Sequence, residues 1–344
     1  SNWVDVSSDL DYVHRLSINF NSQRWANRLL NKLIFLSGTF SSWYFGPILE
    51  YDDKTLDIIK NADLLIGAGL PTKMIHDAYQ FAKRFNKKLI IIPAYHHVSY
   101  YRRSIPFQQS LSYAHTIVCS TPKEKQDLLT SYQIEPNKVK VITYSPYTDQ
   151  DWRDAQNQAT QRLQKLKLKL INHQPITFGY VGQITLRKNL LWFSNFFADN
   201  LSEFKLNGVS INLLLAGAKT NSSAQVEALL KPYINQIKII YDFPKSRAAS
   251  IYNQIDIFIN PSAEESLGIV NFEALYHGCI VLVNNKSAFS FLFPRNIDTN
   301  QSYNERLNWI LTNLSKYGLT ITDSQFDDYT YNAFKKKWIQ LLSI

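Results

Sequence analysis

Pro261-Ser262-Ala263-Glu264-Glu265-Ser266-Leu267-Gly268-Ile269-Val270-Asn271-Phe272-Glu273-Ala274-Leu275 follows the apolar run Asp256-Ile257-Phe258-Ile259-Asn260. The run reads as a short buried strand. Beyond it, Ile269, Phe272, Leu275 and Tyr276 recur at helical spacing until Gly278 supplies a stop. Glu265 therefore falls in a strand-to-helix loop and Glu273 in the early helix, so two acids flank one helix N-terminus. Such an end carries free backbone N–H groups and a partial positive charge, and suits an anionic ligand such as a diphosphate. Carboxylates do not attract phosphate, so their task is to accept hydrogen bonds from neighbouring hydroxyls. Phosphate beside hydroxyls is the chemistry of a nucleotide sugar.

Working outward, apolar runs alternate with longer helical patterns. Leu64 to Ile66, Leu89 to Ile92, Thr116 to Cys119 and Val139 to Ile142 are the strand candidates of the first half; Ile176 to Val181, Ile211 to Leu215, Ile237 to Tyr241, Ile257 to Ile259 and Ile280 to Val283 are those of the second. Short β-branched runs separated by helices imply parallel sheets covered on both faces, hence an α/β chain of two Rossmann-like domains. The expected boundaries are 1–147 and 148–328, the polar stretch from Thr148 to Gln174 being the connection and including a helix. Phe334, Trp338 and Leu341 mark a final amphipathic helix over 329–344.

Glu265 and Glu273, separated by Ser-Leu-Gly-Ile-Val-Asn-Phe, resemble the signature of the family-four retaining glycosyltransferases. Phe178-Gly179-Tyr180-Val181-Gly182-Gln183-Ile184-Thr185-Leu186-Arg187-Lys188-Asn189 is similar to that family's glycine-plus-lysine loop, and Cys279 to Val283 occupies the strand expected after the helix. The likeness covers roughly residues 176 to 290. It implies the GT-B fold, with two Rossmann-like domains, an interdomain cleft and a terminal helix crossing back toward the first domain. It also implies metal-independent transfer from a nucleotide-diphosphate sugar to a glycan, lipid or other hydroxyl acceptor, with no cofactor.

Carried over residue by residue, Glu265 matches the glutamate that hydrogen-bonds donor-sugar hydroxyls, and Glu273 the one that holds the nucleotide ribose. Gly268, Ile269 and Val270 would offer backbone N–H groups, with no side chain on Gly268 to obstruct the approach. Lys188 matches the lysine that neutralises the departing diphosphate, where a preplaced cation stabilises charge that grows only in the transition state. Gln183 stands where the family commonly has arginine, which breaks the usual two-cation clamp. Arg187 either compensates or faces solvent. In the first half, Pro93-Ala94-Tyr95-His96-His97 follows a strand, at the end where ligands collect in open α/β sheets. Of the two histidines, His96 is preferred as the one near the reacting sugar.

Two departures are visible. Ser1 to Asn31 contains no glycine, although the family begins with a glycine-rich loop, so that element lies upstream or has been lost. The aromatic stretch from Asn31 to Pro47 is read as a packed core segment before an acceptor or lipid surface, and Tyr100-Tyr101-Arg102-Arg103 as a basic turn before an anion or membrane contact.

Composition limits the alternatives. A chain of 344 residues, 45% hydrophobic, can build two cores. The formal net charge of +9 favours anionic partners, yet the cations are dispersed and no nucleic-acid module occurs, so nucleic acid is not expected. Cys119 and Cys279 lie in apolar runs and read as small buried hydrophobes, neither a disulfide framework nor a zinc site. Asp52-Asp53 and Asp327-Asp328 are adjacent pairs, without the aspartate-x-aspartate spacing of a metal motif. With no run approaching the length of a membrane span, a cytoplasmic protein is expected, with peripheral association at the inner membrane face compatible with its charge. The competing reading is a catalytically silent relative that binds a glycan or scaffolds a partner.

Overall fold

The computed structural model describes residues 51–69, 73–95, 105–145, 147–185, 188–195, 197–198, 210–262, 265, 267–284, 287 and 327–343. His96, Arg187, the Asn31 to Pro47 stretch and Tyr100 to Arg103 lie outside these residues. Contacts divide the chain into two compact units, parted between Val141 and Ile142, with Thr121–Lys123 counted to the second.

The first unit holds a four-stranded parallel sheet, β1 (Leu64–Ala68), β2 (Lys88–Ile92), β3 (Thr116–Cys119) and β4 (Val139–Val141), paired in chain order. Its helices are α1 (Asp53–Asn61), α2 (Lys73–Arg84), α3 (Ile105–Tyr113) and α4 (Pro122–Ser131). Asp52 begins α1 as its N-cap, accepting from Thr55 N–H at 2.8 Å, so one of the paired aspartates has a local structural task. Leu89, Ile91, Ile117, Cys119 and Val139 form the centre of the core, which Tyr95, Phe107 and Tyr132 extend as an aromatic cluster with centroids 5.2 to 6.5 Å apart. The exposure of β1 at Ile66 shows that an apolar run need not mark a fully covered strand.

One buried acid ties the strand ends together. Glu124 accepts the Tyr95 N–H on Oε1 and the Ser120 N–H on Oε2, both at 2.6 Å. This fixes the loop after β2 immediately before His96. Burial pushes the Glu124 carboxyl up to about 7 from 4.5, against the opposing pull of its two backbone donors. A raised folded pKa means that the native state holds the extra proton, so this contribution to stability is fully present below the unfolded value and is lost as pH rises toward 7. Glu124→Ala is expected to flatten the pH dependence of the urea midpoint between pH 4.5 and about 7. It should also lower stability across that range, because the buried Tyr95 N–H loses its acceptor at about 1 to 3 kcal/mol and the part-buried Ser120 N–H loses one as well. An unchanged pH slope would count against the role.

The second unit opens with α5 (Asp149–Ile171), a 23-residue helix where the sequence indicated only a connection including one. Polar residues continue the helix because its start is closed by a reciprocal cap, Thr148 Oγ1 accepting from Asp151 N–H at 3.1 Å and Asp151 Oδ2 from Thr148 N–H at 2.7 Å. The sheet contains β5 (Ile176–Val181), β6 (Ile211–Gly217), β7 (Ile237–Tyr241), β8 (Ile257–Asn260) and β9 (Ile280–Val283), all parallel, in the order β7-β6-β5-β8-β9. Strand order reverses between β6 and β8 about β5, the Rossmann arrangement, and the crevice at that switch lies beyond the C-terminal ends of β5 and β8. Helices α6 (Ser223–Leu230), α7 (Ala248–Tyr252) and α8 (Ile269–Tyr276) follow their strands.

Phe178, Leu213, Leu215, Ile257 and Ile259 fill one face of this sheet; Val181, Leu214, Phe258, Phe272 and Val281 fill the other. Cys119 and Cys279 are free and buried. The last helix, α9 (Tyr331–Leu342), is bound to the start of α5 by Tyr331 N–H to Tyr147 O at 2.7 Å and Asn332 Nδ2 to Asp149 Oδ2 at 2.8 Å. Among the described residues no helix is long and apolar enough to cross a membrane.

Candidate active site

The loop leaving β5 and the loop leaving β8 meet through one ion pair. Lys188 Nζ lies 2.5 Å from Glu265 Oε2, with the two side chains only 15% and 14% exposed. Asn189, in the left-handed region at φ 57°, directs its amide Nδ2 to Pro261 O at 3.4 Å and so joins the same two loops. Glycine is required where the β5 loop passes β6: a Cβ on Gly217 would stand 1.6 Å from Gly182 O. Gly182 N–H in turn donates to Ala216 O at 2.9 Å, which closes the loop against the strand end.

Glu265 lies against the start of α8. Gly268 is the N-cap residue at φ 73°, ψ 67°, and a Cβ there would meet Asn271 Nδ2 at 2.5 Å and Glu265 Cγ at 3.0 Å. Glycine therefore serves both the backbone turn and the packing of two polar side chains beneath it. Ile269 and Val270 are the first two helical residues, so helix geometry leaves their N–H groups without intrahelical acceptors. Ile269 is 46% exposed, an apolar residue of the helical pattern that faces outward instead of into the core. Asn271 is wholly buried; its Oδ1 accepts from Asn260 Nδ2 at 3.0 Å, while its own Nδ2 has no partner among the described residues. A buried donor of this kind is uncommon and sits directly under the helix start.

Glu273 is held differently from Glu265. Its Oε2 accepts from the Tyr252 hydroxyl at 2.8 Å, and Tyr252 is fully buried and stacked on His277 at 5.2 Å. Burial, with Glu273 adding to it, drives the Tyr252 phenol well above its ordinary range, and the same two causes raise Tyr147. Both phenols stay neutral and able to donate. Glu273 is thus a half-buried carboxylate held in position by a tyrosine on α7, facing a different neighbour from the Lys188–Glu265 pair.

Lys188, Glu265, Gly268, Ile269 and Val270 come together at the switch point, Glu273 follows in the same helix, and Gln183 sits exposed on the β5 loop with its carbonyl accepting from Tyr180 at 3.0 Å. His96 and Arg187 fall outside the described residues. Tyr252, Asn260, Asn271 and Gly217 were missed by sequence reasoning. A tyrosine at the end of a short helix and two asparagines eleven residues apart carry no local signal; only the Gly217 position, at a strand end, had a readable one.

Residues 162–313 match the family of glycosyl transferases group 1. No curated protein sequence matches it significantly. Solved structures match in fold at low identity. Anabaena HepE in complex with UDP-glucose is 13% identical over 84% of this chain and 81% of that one, with a TM-score of 0.62. A glycosyltransferase from Rickettsia africae is 17% identical over 96% and 83%, with a TM-score of 0.60. Sucrose-phosphate synthase from Thermosynechococcus elongatus is 15% identical over 94% and 93%, with a TM-score of 0.61. These are GT-B proteins, and the two parallel sheets described above are those of that fold.

Proposed function

We propose that this protein is a retaining glycosyltransferase that binds a nucleoside-diphosphate sugar at the β5/β8 switch point and transfers the sugar to a hydroxyl of a glycan or lipid-linked acceptor, without a metal ion. The Lys188–Glu265 pair packed against Gly268 at the start of α8 carries this reading. The Ile269 and Val270 N–H groups receive the diphosphate, Lys188 offsets the charge it acquires on leaving, Glu265 accepts from sugar hydroxyls, and Glu273, steadied by Tyr252, accepts from the ribose. The acceptor oxygen bonds to the anomeric carbon as the carbon–oxygen bond to phosphate breaks. The acceptor proton passes to the departing diphosphate on the same face. The resemblance gives His96 a role toward the reacting sugar. UDP-glucose is the first donor to test, since HepE is described with it. A cytoplasmic enzyme working at the membrane surface fits the net charge of +9.

The test is a calorimetric panel of UDP, GDP, ADP and their glucose or mannose conjugates, followed by transfer assays with and without chelator. Binding of one nucleoside diphosphate, and transfer that survives chelation, are expected. Failure of every nucleotide to bind would favour a silent scaffold. Strict dependence on magnesium or manganese would overturn the metal-free mechanism.

A further inference from the structure

The opposite end of the second unit's sheet contains a cavity of 660 Å³ that the donor chemistry does not use. Arg162, Lys165 and Lys169 of α5 line it together with Lys238 of β7, and Asp256 is the one carboxylate. Four cations against one carboxylate leave a net of three positive charges. Asp256 is committed to Lys169 at 2.6 Å and to the Thr177 N–H at 2.8 Å. Arg162 donates to neutral carbonyls, among them His277 O at 2.5 Å and Tyr252 O at 3.2 Å, and Lys238 to the neutral amide of Gln254 at 2.8 Å. Lys165 has no such partner among the described residues. The charges of Arg162, Lys165 and Lys238 are therefore not cancelled by any carboxylate lining the cavity.

The sheet itself is polar at this place. Thr177, Asn212 and Lys238 are each the second residue of β5, β6 and β7, and the pairings Thr177 with Asn212 and Leu214 with Lys238 put all three on one face. Further along that face come Gly179 against Ile255, then Leu214 and Ile240 in the apolar cluster. Leu214 still lines the cavity, as do Leu213 and Ile237, and beside Leu214 on that face a hydroxyl, an amide and an ammonium take the place of apolar side chains. The rest of the polar lining is the side-chain amides of Asn235, Gln236 and Asn253, and no aromatic ring lines the cavity among the described residues.

We propose that this cavity is a second binding site, for a small sugar phosphate. Lys165 and Lys238, exposed and paired with no carboxylate, suit a phosphate ester, with the Arg162 charge behind them committed to backbone carbonyls, and the amides and hydroxyl, which donate and accept alike, suit sugar hydroxyls. The volume lies in the range of small-molecule sites, roughly 300 to 1,000 Å³. Without an aromatic face the cavity offers no stacking surface for a nucleobase. It opens at the N-terminal ends of the strands whose C-terminal ends carry the donor site, roughly 15 to 20 Å away along β5. Occupancy of one site therefore does not block the other, and the proposal is independent of the donor reading.

The experiment is titration calorimetry of the full chain with glucose 6-phosphate, glucose and inorganic phosphate, each in the absence and presence of saturating UDP. Glucose 6-phosphate is expected to bind with the same affinity in both conditions and more tightly than either fragment. Lys165→Glu/Lys238→Glu, with neither residue at the donor site, is expected to weaken it by about tenfold or more while UDP affinity and melting temperature stay unchanged. Asn212→Asp, which brings a carboxylate into the cavity, is the second variant should the first not fold. Absence of binding, displacement by UDP, equal affinity for inorganic phosphate, or undiminished binding by a folded variant would each overturn the proposal.

Discussion

Lys188→Ala is expected to lower turnover by about a hundredfold or more, the usual cost of losing one oriented charge at a developing anion. The loss belongs in the rate constant, because the charge on the diphosphate oxygen grows as the sugar departs. The structure adds a second effect that sequence alone does not contain. Lys188 is paired with Glu265 at 2.5 Å, so removing the lysine leaves a largely buried carboxylate facing the phosphate site. Donor affinity should fall for that separate reason. Steady-state kinetics of Lys188→Ala and of Lys188→Ala/Glu265→Gln tell the two effects apart: the second substitution is expected to recover KM and leave kcat low. Alongside these, Arg187→Ala should reduce turnover more than Gln183→Ala, since glutamine provides no charge and Gln183 is exposed on its loop. Near-normal turnover in Lys188→Ala would remove the phosphate site from this loop.

The two glutamates should separate cleanly in binding. Glu273→Ala is expected to weaken UDP by about ten- to a hundredfold, corresponding to the 1.5 to 3 kcal/mol of a hydrogen bond to a charged group. Glu265→Ala should spare UDP, and by releasing Lys188 from its partner even tighten it, while impairing the sugar-bearing donor. Tyr252→Phe, which removes only the hydroxyl 2.8 Å from Glu273, should reproduce a fraction of the Glu273→Ala loss without touching the sugar contacts. Calorimetry with UDP and UDP-glucose on the three variants is the measurement. Equal losses of UDP in Glu265→Ala and Glu273→Ala would show that the roles are misassigned.

The strands were legible because parallel sheets covered on both faces demand continuous β-branched runs, and Ile176–Val181, Ile237–Tyr241 and Ile280–Val283 have the bounds that such runs suggest. Gly278, at φ 71°, ends α8 as its position implied, with Gly278 N–H donating to Leu275 O at 2.8 Å. The length of α5 was not legible. Its middle is rich in Gln and Asn, and what holds it is long-range: Arg162 reaches carbonyls 90 and 115 residues away. The site divides in the same way. Glu265, Gly268 and Glu273 lie within one loop and one helix, so their order in sequence is their order in space. The Tyr252 that positions Glu273 and the Asn260–Asn271 pair under Gly268 depend on how α7, β8 and α8 pack, which no spacing encodes.

The tether between α9 and α5 sets a limit on when the second unit can mature during synthesis. Trp152 is buried among the residues that support α8; its indole Nε1 donates to Tyr329 O at 3.3 Å, and the Tyr329 ring lies 6.5 Å from Phe272. Tyr147 O waits for the Tyr331 N–H, and Asp149 for Asn332. All of these partners emerge from the ribosome more than 50 residues after Glu273 itself. The sheet of the first unit can close while translation continues, as N-terminal domains generally do. The helix bearing Glu273 reaches its final support only once residues 329–332 have been made. Premature termination shortly before Tyr329 should accordingly yield a chain whose first half resists protease and whose second half is cleared.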